Sequence, residues 1–145
     1  MERAIEMFSD LRMWEEARQY AAATSGNPPP RASEVFQFGR IRLAGTQLFF
    51  SSECTVATVN LKPLCPGHVL VVPKRNVPLL AELPEAERLD LWRSVRIVQD
   101  AVCRIHGAAG CKIGVQDGRD AGQSVPHVHV HVLPQGQEKD KERAP

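Results

Sequence analysis

The sequence predicts an α+β fold: an antiparallel sheet of about five strands with one long helix packed on it, preceded by an N-terminal helical extension. Three observations carry this. Short extended runs bounded by proline, glycine or serine recur after residue 30. One stretch, and only one beyond that point, repeats its apolar residues at helical spacing over four turns. Between these runs and the first residues stands a breaker cluster, Thr24-Ser25-Gly26-Asn27-Pro28-Pro29-Pro30, that neither a helix nor a strand crosses.

Residues 2–23 read as an amphipathic helix with Met7, Leu11, Trp14 and Arg18 or Ala21 on one stripe. With its linker, this extension occupies residues 1–30, a packing or oligomer-contact element rather than a catalytic one. A domain of residues 31–136 follows, and a charged, apolar-poor tail of residues 137–145 is expected to be flexible. Within the domain, Leu48-Phe49-Phe50 and Thr55 to Val59 form a hairpin pair around the polar Ser51-Ser52-Glu53 turn. Val69 to Val72, bounded by Pro66-Gly67 and Pro73, suits a central strand. Pro84 suits the first turn of the long helix, whose Leu91, Val95, Val98, Val102 and Ile105 share one face before Gly107 closes it. Ile113 to Gln116 and Val125 to Leu133 are the last two strands.

Charge narrows the partners. Lys and Arg number 18 against 17 Asp and Glu, a formal net charge of +1 over 145 residues. That balance argues against gripping long nucleic acid or an anionic membrane by charge. No apolar run approaches the ~20 residues that span a bilayer. The first 23 residues carry five acids against three arginines, which suits neither a secretory signal nor a mitochondrial transit peptide. The four cysteines show no C-x-x-C pair, so reduced thiols in the cytoplasm, or the nucleus, are the expectation.

Three of the five histidines fall within five residues, in Pro126-His127-Val128-His129-Val130-His131-Val132-Leu133-Pro134. On a strand, alternation sends His127, His129 and His131 to one face and the three valines to the other, toward helix and core. Imidazoles are costly to cluster unless something uses them. Three readings compete: a metal site, a solvent-facing stripe, and a nucleophilic and acid/base array handling a charged group. The outer pair lies ~13 Å apart along a strand, so all three reach one ion, at ~2.0–2.1 Å per bond, only with strain. The loop Asp117-Gly118-Arg119-Asp120-Ala121-Gly122-Gln123-Ser124 entering the array can offer backbone N–H groups and a hydroxyl to phosphate oxygens, which favours the third reading.

His127-Val-His-Val-His131 followed by Val132-Leu133-Pro134 resembles the motif of the histidine-triad family. Its fragile-histidine branch, the bis(5′-adenosyl)-triphosphatases, is matched further by Val59-Asn60-Leu-Lys-Pro63, Pro66-Gly67-His68-Val69-Leu-Val and Gln116-Asp117-Gly118 to Ala121-Gly122-Gln123-Ser124-Val125. Phe36-Gln37-Phe38-Gly39 looks like that branch's first strand. The resemblance runs from about Val35 to Pro134. It implies a hydrolase that splits diadenosine triphosphate into AMP and ADP, with His129 as nucleophile through a nucleotidyl-histidine intermediate. His131 would contact the α-phosphate and hand a proton to the leaving group, with His127 and His68 buttressing the array. Asn60 would hold the ribose, Gln116, Gly122, Gln123, Ser124 and Val125 the phosphates, and Phe38 the base. The resemblance also implies a divalent cation, magnesium or manganese, travelling with the substrate, no protein-bound metal, and a homodimer with the long helix at the two-fold and Trp92 close by. Adenosine phosphoramidate cleavage and a slowly turning nucleotide-binding signalling module are the alternatives.

Overall fold

The computed structural model describes residues 11–60 and 62–136. Its first element is helix α1 (Leu11–Ser25), followed by strands β1 (Val35–Phe38), β2 (Ile41–Ala44), β3 (Leu48–Ser51), β4 (Thr55–Val59) and β5 (Val69–Pro73). Helix α2 (Glu85–Ile105) comes next, then β6 (Gly110–Val115) and β7 (Val130–Gln135). Strands β3 to β7 form one antiparallel sheet in the order β3-β4-β5-β7-β6, and β1 and β2 form a separate two-stranded hairpin.

The layers follow from strand alternation. Val69 and Val71 of β5, with Val128, Val130 and Val132, join Leu91, Val95, Val98 and Val102 of α2 in a core on one face of the sheet. The helical stripe read from the sequence is therefore committed to that core. Leu70 and Val72 point the other way, into a smaller cluster with Val56, Leu48, and Phe38 and Leu43 of the hairpin. The sheet is thus covered by helices on one side and by the hairpin on the other.

Helix α1 packs with α2 on the first face. Trp14, Ala17 and Ala21 are buried there, and Trp14 meets Phe49 edge to face at 5.6 Å between centroids. Arg18 donates to the carbonyls of Leu48 (3.2 Å) and Pro30 (3.0 Å), which pins α1 beside β3. Tyr20 donates to the Asp100 carboxylate of α2 at 2.7 Å. Met7 and the tail of residues 137–145 lie outside the described residues. A second polar knot joins α2 to the β3–β4 turn: Asp90 accepts from the hydroxyls of Ser52 (2.6 Å) and Thr55 (2.7 Å) and from the Cys54 N–H (3.2 Å).

Several bounds differ from the sequence reading. Helix α1 runs on through Thr24 and Ser25, the first two residues of the breaker cluster, and stops at Gly26, whose φ is +76°. The last strand begins at Val130, not Val125, because residues 125–129 leave the ladder. His127 N–H turns back onto the Val125 carbonyl (2.8 Å), and Val128 N–H bonds Val77 on the loop after β5 (2.9 Å), so pairing with β5 starts only at Val130. Pro126, which has no N–H to offer a ladder, sits inside that turn. Strand β6 runs from Gly110 to Val115 instead of Ile113 to Gln116. Pro84 flanks α2 as its N-cap rather than entering the first turn. Strand β2 has no counterpart in the sequence reading.

Candidate active site

The array sits where β7 and the irregular run before it face the hairpin. Alternation survives the broken ladder: Val128, Val130 and Val132 stay in the helix-side core, while the three imidazoles line up on the opposite face. Ring centroids fall 5.1 Å apart for His129–His131 and 5.2 Å for His68–His131, and Phe38 packs on both His127 (5.3 Å) and His129 (5.2 Å).

Backbone groups settle the proton on each ring, since a peptide N–H can only donate and a carbonyl only accept. Gly39 N–H donates to His127 Nδ1 at 2.9 Å, so His127 carries its proton on Nε2 and gives it to the Pro73 carbonyl at 2.7 Å. His129 bonds the His127 carbonyl through Nδ1 at 2.7 Å. Its proton is therefore on Nδ1, and Nε2 keeps its lone pair. Leu64 N–H donates to His68 Nδ1 at 3.1 Å, which leaves the His68 proton on Nε2, 3.0 Å from His131 Nδ1. His131 accepts there and carries its own proton on Nε2. That N–H is buried and, among the described residues, has no partner.

The environment agrees with neutral rings. Burial, reinforced by neighbouring His131, pushes His68 down to about 4. Burial also lowers His127 and His131, each with the nearby His129 as a further cause. Around neutral pH these three are uncharged hydrogen-bonding groups of fixed tautomer.

A cavity of about 470 Å³ opens over His129 and His131, lined also by Phe38, Asn60, His68, Ser124 and Val125. Phe38, Ile41, Leu43, Val59 and Leu70 form an apolar wall, while Asn60, Lys62, Ser124 and the imidazoles supply polar groups. A mostly apolar concavity with a few converging polar groups suits a flat, partly polar ligand. Asn60 is held by Lys62 N–H on its Oδ1 (3.1 Å), and its Nδ2 lies against the His68 ring.

The other residues singled out in the sequence do not line this cavity. His127 lies beneath it, both ring nitrogens spent on backbone. Gln123 donates its amide to the Pro78 carbonyl at 2.7 Å. Gly122 has φ +90°, and a side chain there would strike the Gln116 amide at 2.7 Å, so Gln116 packs against Gly122. Among the described residues no group of three or more His, Cys, Asp or Glu is placed to hold a metal ion. Sequence reasoning missed Leu43, Lys62 and Leu70 among the lining residues, and missed Gly39, Leu64 and Pro73. The last three act through backbone atoms, which no residue type announces. Gly39 alone has a signal: its φ of +58° and Val125 Cγ1 only 2.6 Å from any added Cβ demand glycine.

The HIT domain family matches residues 43–138. The chain belongs to this family. Among curated relatives it is 52% identical over 90 residues to a fission-yeast (Schizosaccharomyces pombe) protein named bis(5′-nucleosyl)-tetraphosphatase (asymmetrical), covering 62% of this chain and 50% of that one. It is 43% identical over 97 residues to the Dictyostelium discoideum bis(5′-adenosyl)-triphosphatase, covering 67% and 65%. It also resembles the solved structure of a Plasmodium falciparum diadenosine triphosphate hydrolase, with TM-score 0.73 and 26% identity over 83% of this chain and 82% of that one. The Caenorhabditis elegans nitrilase–fragile histidine triad protein aligns with TM-score 0.72 and 36% identity, over 88% of this HIT chain but 33% of its own. The chain spans 50% and 65% of the two curated relatives' lengths. Among the described residues no helix is long and apolar enough to cross a membrane.

Proposed function

We propose that this HIT protein hydrolyses dinucleoside polyphosphates, splitting diadenosine triphosphate into AMP and ADP. The observation that carries the reading is the tautomer of His129. With its proton tied to the His127 carbonyl, Nε2 has a free lone pair on a ring that lines the cavity. Nε2 attacks the α-phosphorus, the bond from that phosphorus to the bridging oxygen breaks, and ADP leaves. Water then attacks the nucleotidyl-histidine, releasing AMP and restoring the imidazole. The His131 Nε2–H, without a partner among the described residues, donates a hydrogen bond to an α-phosphate oxygen, and the departing phosphate oxygen leaves as an anion that takes its proton from solvent. His127 and His68 hold these two rings in orientation. Phe38 and the apolar wall take the base, Asn60 the ribose, and Ser124 with the adjoining loop the phosphates. Magnesium or manganese arrives bound to the polyphosphate, as part of the substrate.

The names of the relatives favour two chain lengths of substrate, triphosphate and tetraphosphate, on otherwise similar sequences. The deciding experiment offers diadenosine triphosphate, diadenosine tetraphosphate and an adenosine phosphoramidate in parallel, with magnesium and with chelator. AMP plus ADP from the triphosphate is expected, with less product under chelation. Preferential phosphoramidate cleavage would move the protein to the other branch of its family, and binding without turnover would make it a signalling module.

We also propose a homodimer. Because the α2 stripe is spent on the core, the pairing surface lies on the outward face, where Leu89 is 64% and Trp92 43% exposed. Ile113 of β6 is 40% exposed, and among the described residues β6 is an edge strand with one row of backbone groups paired to no other strand. Light scattering should give twice the chain mass, and Trp92→Arg should halve it; a monomeric wild type would refute the assembly.

A further inference from the structure

The cysteines take no part in the candidate site, yet two of them meet. Cys103 lies in the last turn of α2 and Cys111 near the start of β6, separated by the turn His106-Gly107-Ala108-Ala109. Cys103 Sγ is 3.8 Å from the carbonyl oxygen of Gly110, the residue before Cys111, and Cys111 Sγ is 3.7 Å from that of Lys112. Cys103 Sγ thus reaches the backbone next to Cys111, and the two thiols border one cavity. Both are half-buried and line a surface cavity of about 240 Å³ whose rim includes Arg96, Gln99 and Asp100. On α2, Cys103 lies eleven residues, about 16 Å of helix axis, beyond Trp92, and the cavity wall begins at Arg96. Cys54 lies in the β3–β4 turn, and Cys65 donates to the Pro134 carbonyl at 3.4 Å, so neither shares it.

We propose that Cys103 and Cys111 form a reversible dithiol–disulfide site, closed by low-molecular-weight disulfides such as oxidised glutathione, which cross-links the end of α2 to β6. The sulfurs begin on the wall of one cavity, with Cys103 Sγ 3.8 Å from the Gly110 carbonyl, and closing to a bond of about 2.05 Å draws on a turn that contains Gly107 and meets β6 at Gly110. The reaction is thiol–disulfide exchange. The Cys111 thiolate attacks one sulfur of oxidised glutathione, the S–S bond breaks, and one glutathione leaves as thiolate to take up a proton. Cys103, giving its proton to solvent, then attacks the Cys111 sulfur and expels the second glutathione. Two protein S–H bonds are lost, one S–S bond forms, and the small disulfide is reduced to two thiols.

The order of attack follows from the surroundings. Burial pushes the Cys103 thiol up to about 12. Cys111 is raised by burial too, but hydrogen bonds from Cys103 and from the Leu133 backbone favour its thiolate. Because both groups are largely protonated near neutral pH, the site responds to a sustained oxidising poise and ignores brief exposure.

The test equilibrates the full chain in glutathione buffers from fully reduced to fully oxidised, blocks remaining thiols with an alkylating reagent, and maps peptides by mass. At the oxidised end, two of the four cysteines should escape alkylation and appear as one cross-linked pair, Cys103 with Cys111, two hydrogens lighter. Excess reduced glutathione should reopen it. Cys103→Ser should stop at a single glutathionyl adduct on Cys111, whereas Cys54→Ser and Cys65→Ser should still close. The proposal is overturned if wild-type Cys103 and Cys111 remain alkylatable in oxidised buffer, or if each carries its own glutathione. The wild-type map decides on its own should Cys103→Ser fail to fold.

Discussion

Five consecutive residues, Val128 to Val132, build two opposite environments. The valines enter a sealed apolar core against α2, while the histidines between them face a cavity with every proton assigned by a neighbour. The valine face needs only volume and burial, which are non-directional. Each histidine needs a partner at a stated atom, because an imidazole with the wrong tautomer presents a donor where a lone pair is wanted. One face therefore sets stability and the other sets chemistry, and substitutions on the two should separate cleanly.

The sharpest way to break that separation is His129→Ala. Hydrolysis of diadenosine triphosphate should fall by about 10⁴-fold or more, with the unfolding midpoint nearly unchanged; residual activity near wild type would remove His129 as nucleophile. Val130→Ala is the mirror experiment. It should cost about 2–3 kcal/mol in denaturant unfolding through lost burial and a cavity, while turnover per folded molecule persists. A collapse of kcat here would show that the two faces are mechanically one. Next comes His68→Ala, which leaves His131 Nδ1 without its donor and frees the tautomer; kcat should drop about 10–100-fold, with a smaller change in KM. His68→Gln, which can still offer an N–H, should recover part of the loss, and no recovery would mean that His68 acts only as filling.

The smallest effect is in pH. His68, His127 and His131 are held below their ordinary range in the folded chain, so the unfolded chain binds more protons between the ordinary histidine value and the folded one. Stability should be fully present above about 6.5, the unfolded value, and should decline as pH falls toward about 4, the folded value of His68. Chemical denaturation at intervals across that window measures the slope, and His68→Gln should flatten it. A stability flat from neutrality to acid would contradict the assigned neutral tautomers.

What the chain disclosed about itself divides along the same line. The alternation of His127, His129 and His131 with valines is a local, period-two signal, and it survived even where the ladder breaks before Val130. The 4,3,4,3 spacing from Leu91 to Ile105 placed α2 and its buried face for the same reason. Tautomers were illegible because their determinants are backbone atoms, which no residue type announces; for His127 they also lie far away in sequence, Gly39 N–H at 88 residues and the Pro73 carbonyl at 54. Strand β2 was missed because Ile41–Ala44 buries only Leu43 in its strand pattern and shows no apolar run. The packing of α1 was half visible: Trp14 and Ala21 marked the stripe, but Ala17 buries completely while contributing little to any hydrophobic signal.

Arg18 and α1 have one more effect. The sheet ends at β3 on one side and β6 on the other. At β3, α1 lies alongside and the Arg18 guanidinium occupies the Leu48 carbonyl, whereas among the described residues no strand pairs with the outer edge of β6. A ribbon with one end shut and one end free can be lengthened only once. In the proposed homodimer, two copies joined through β6 would expose only their β3 ends, and growth into a filament would stop at the pair.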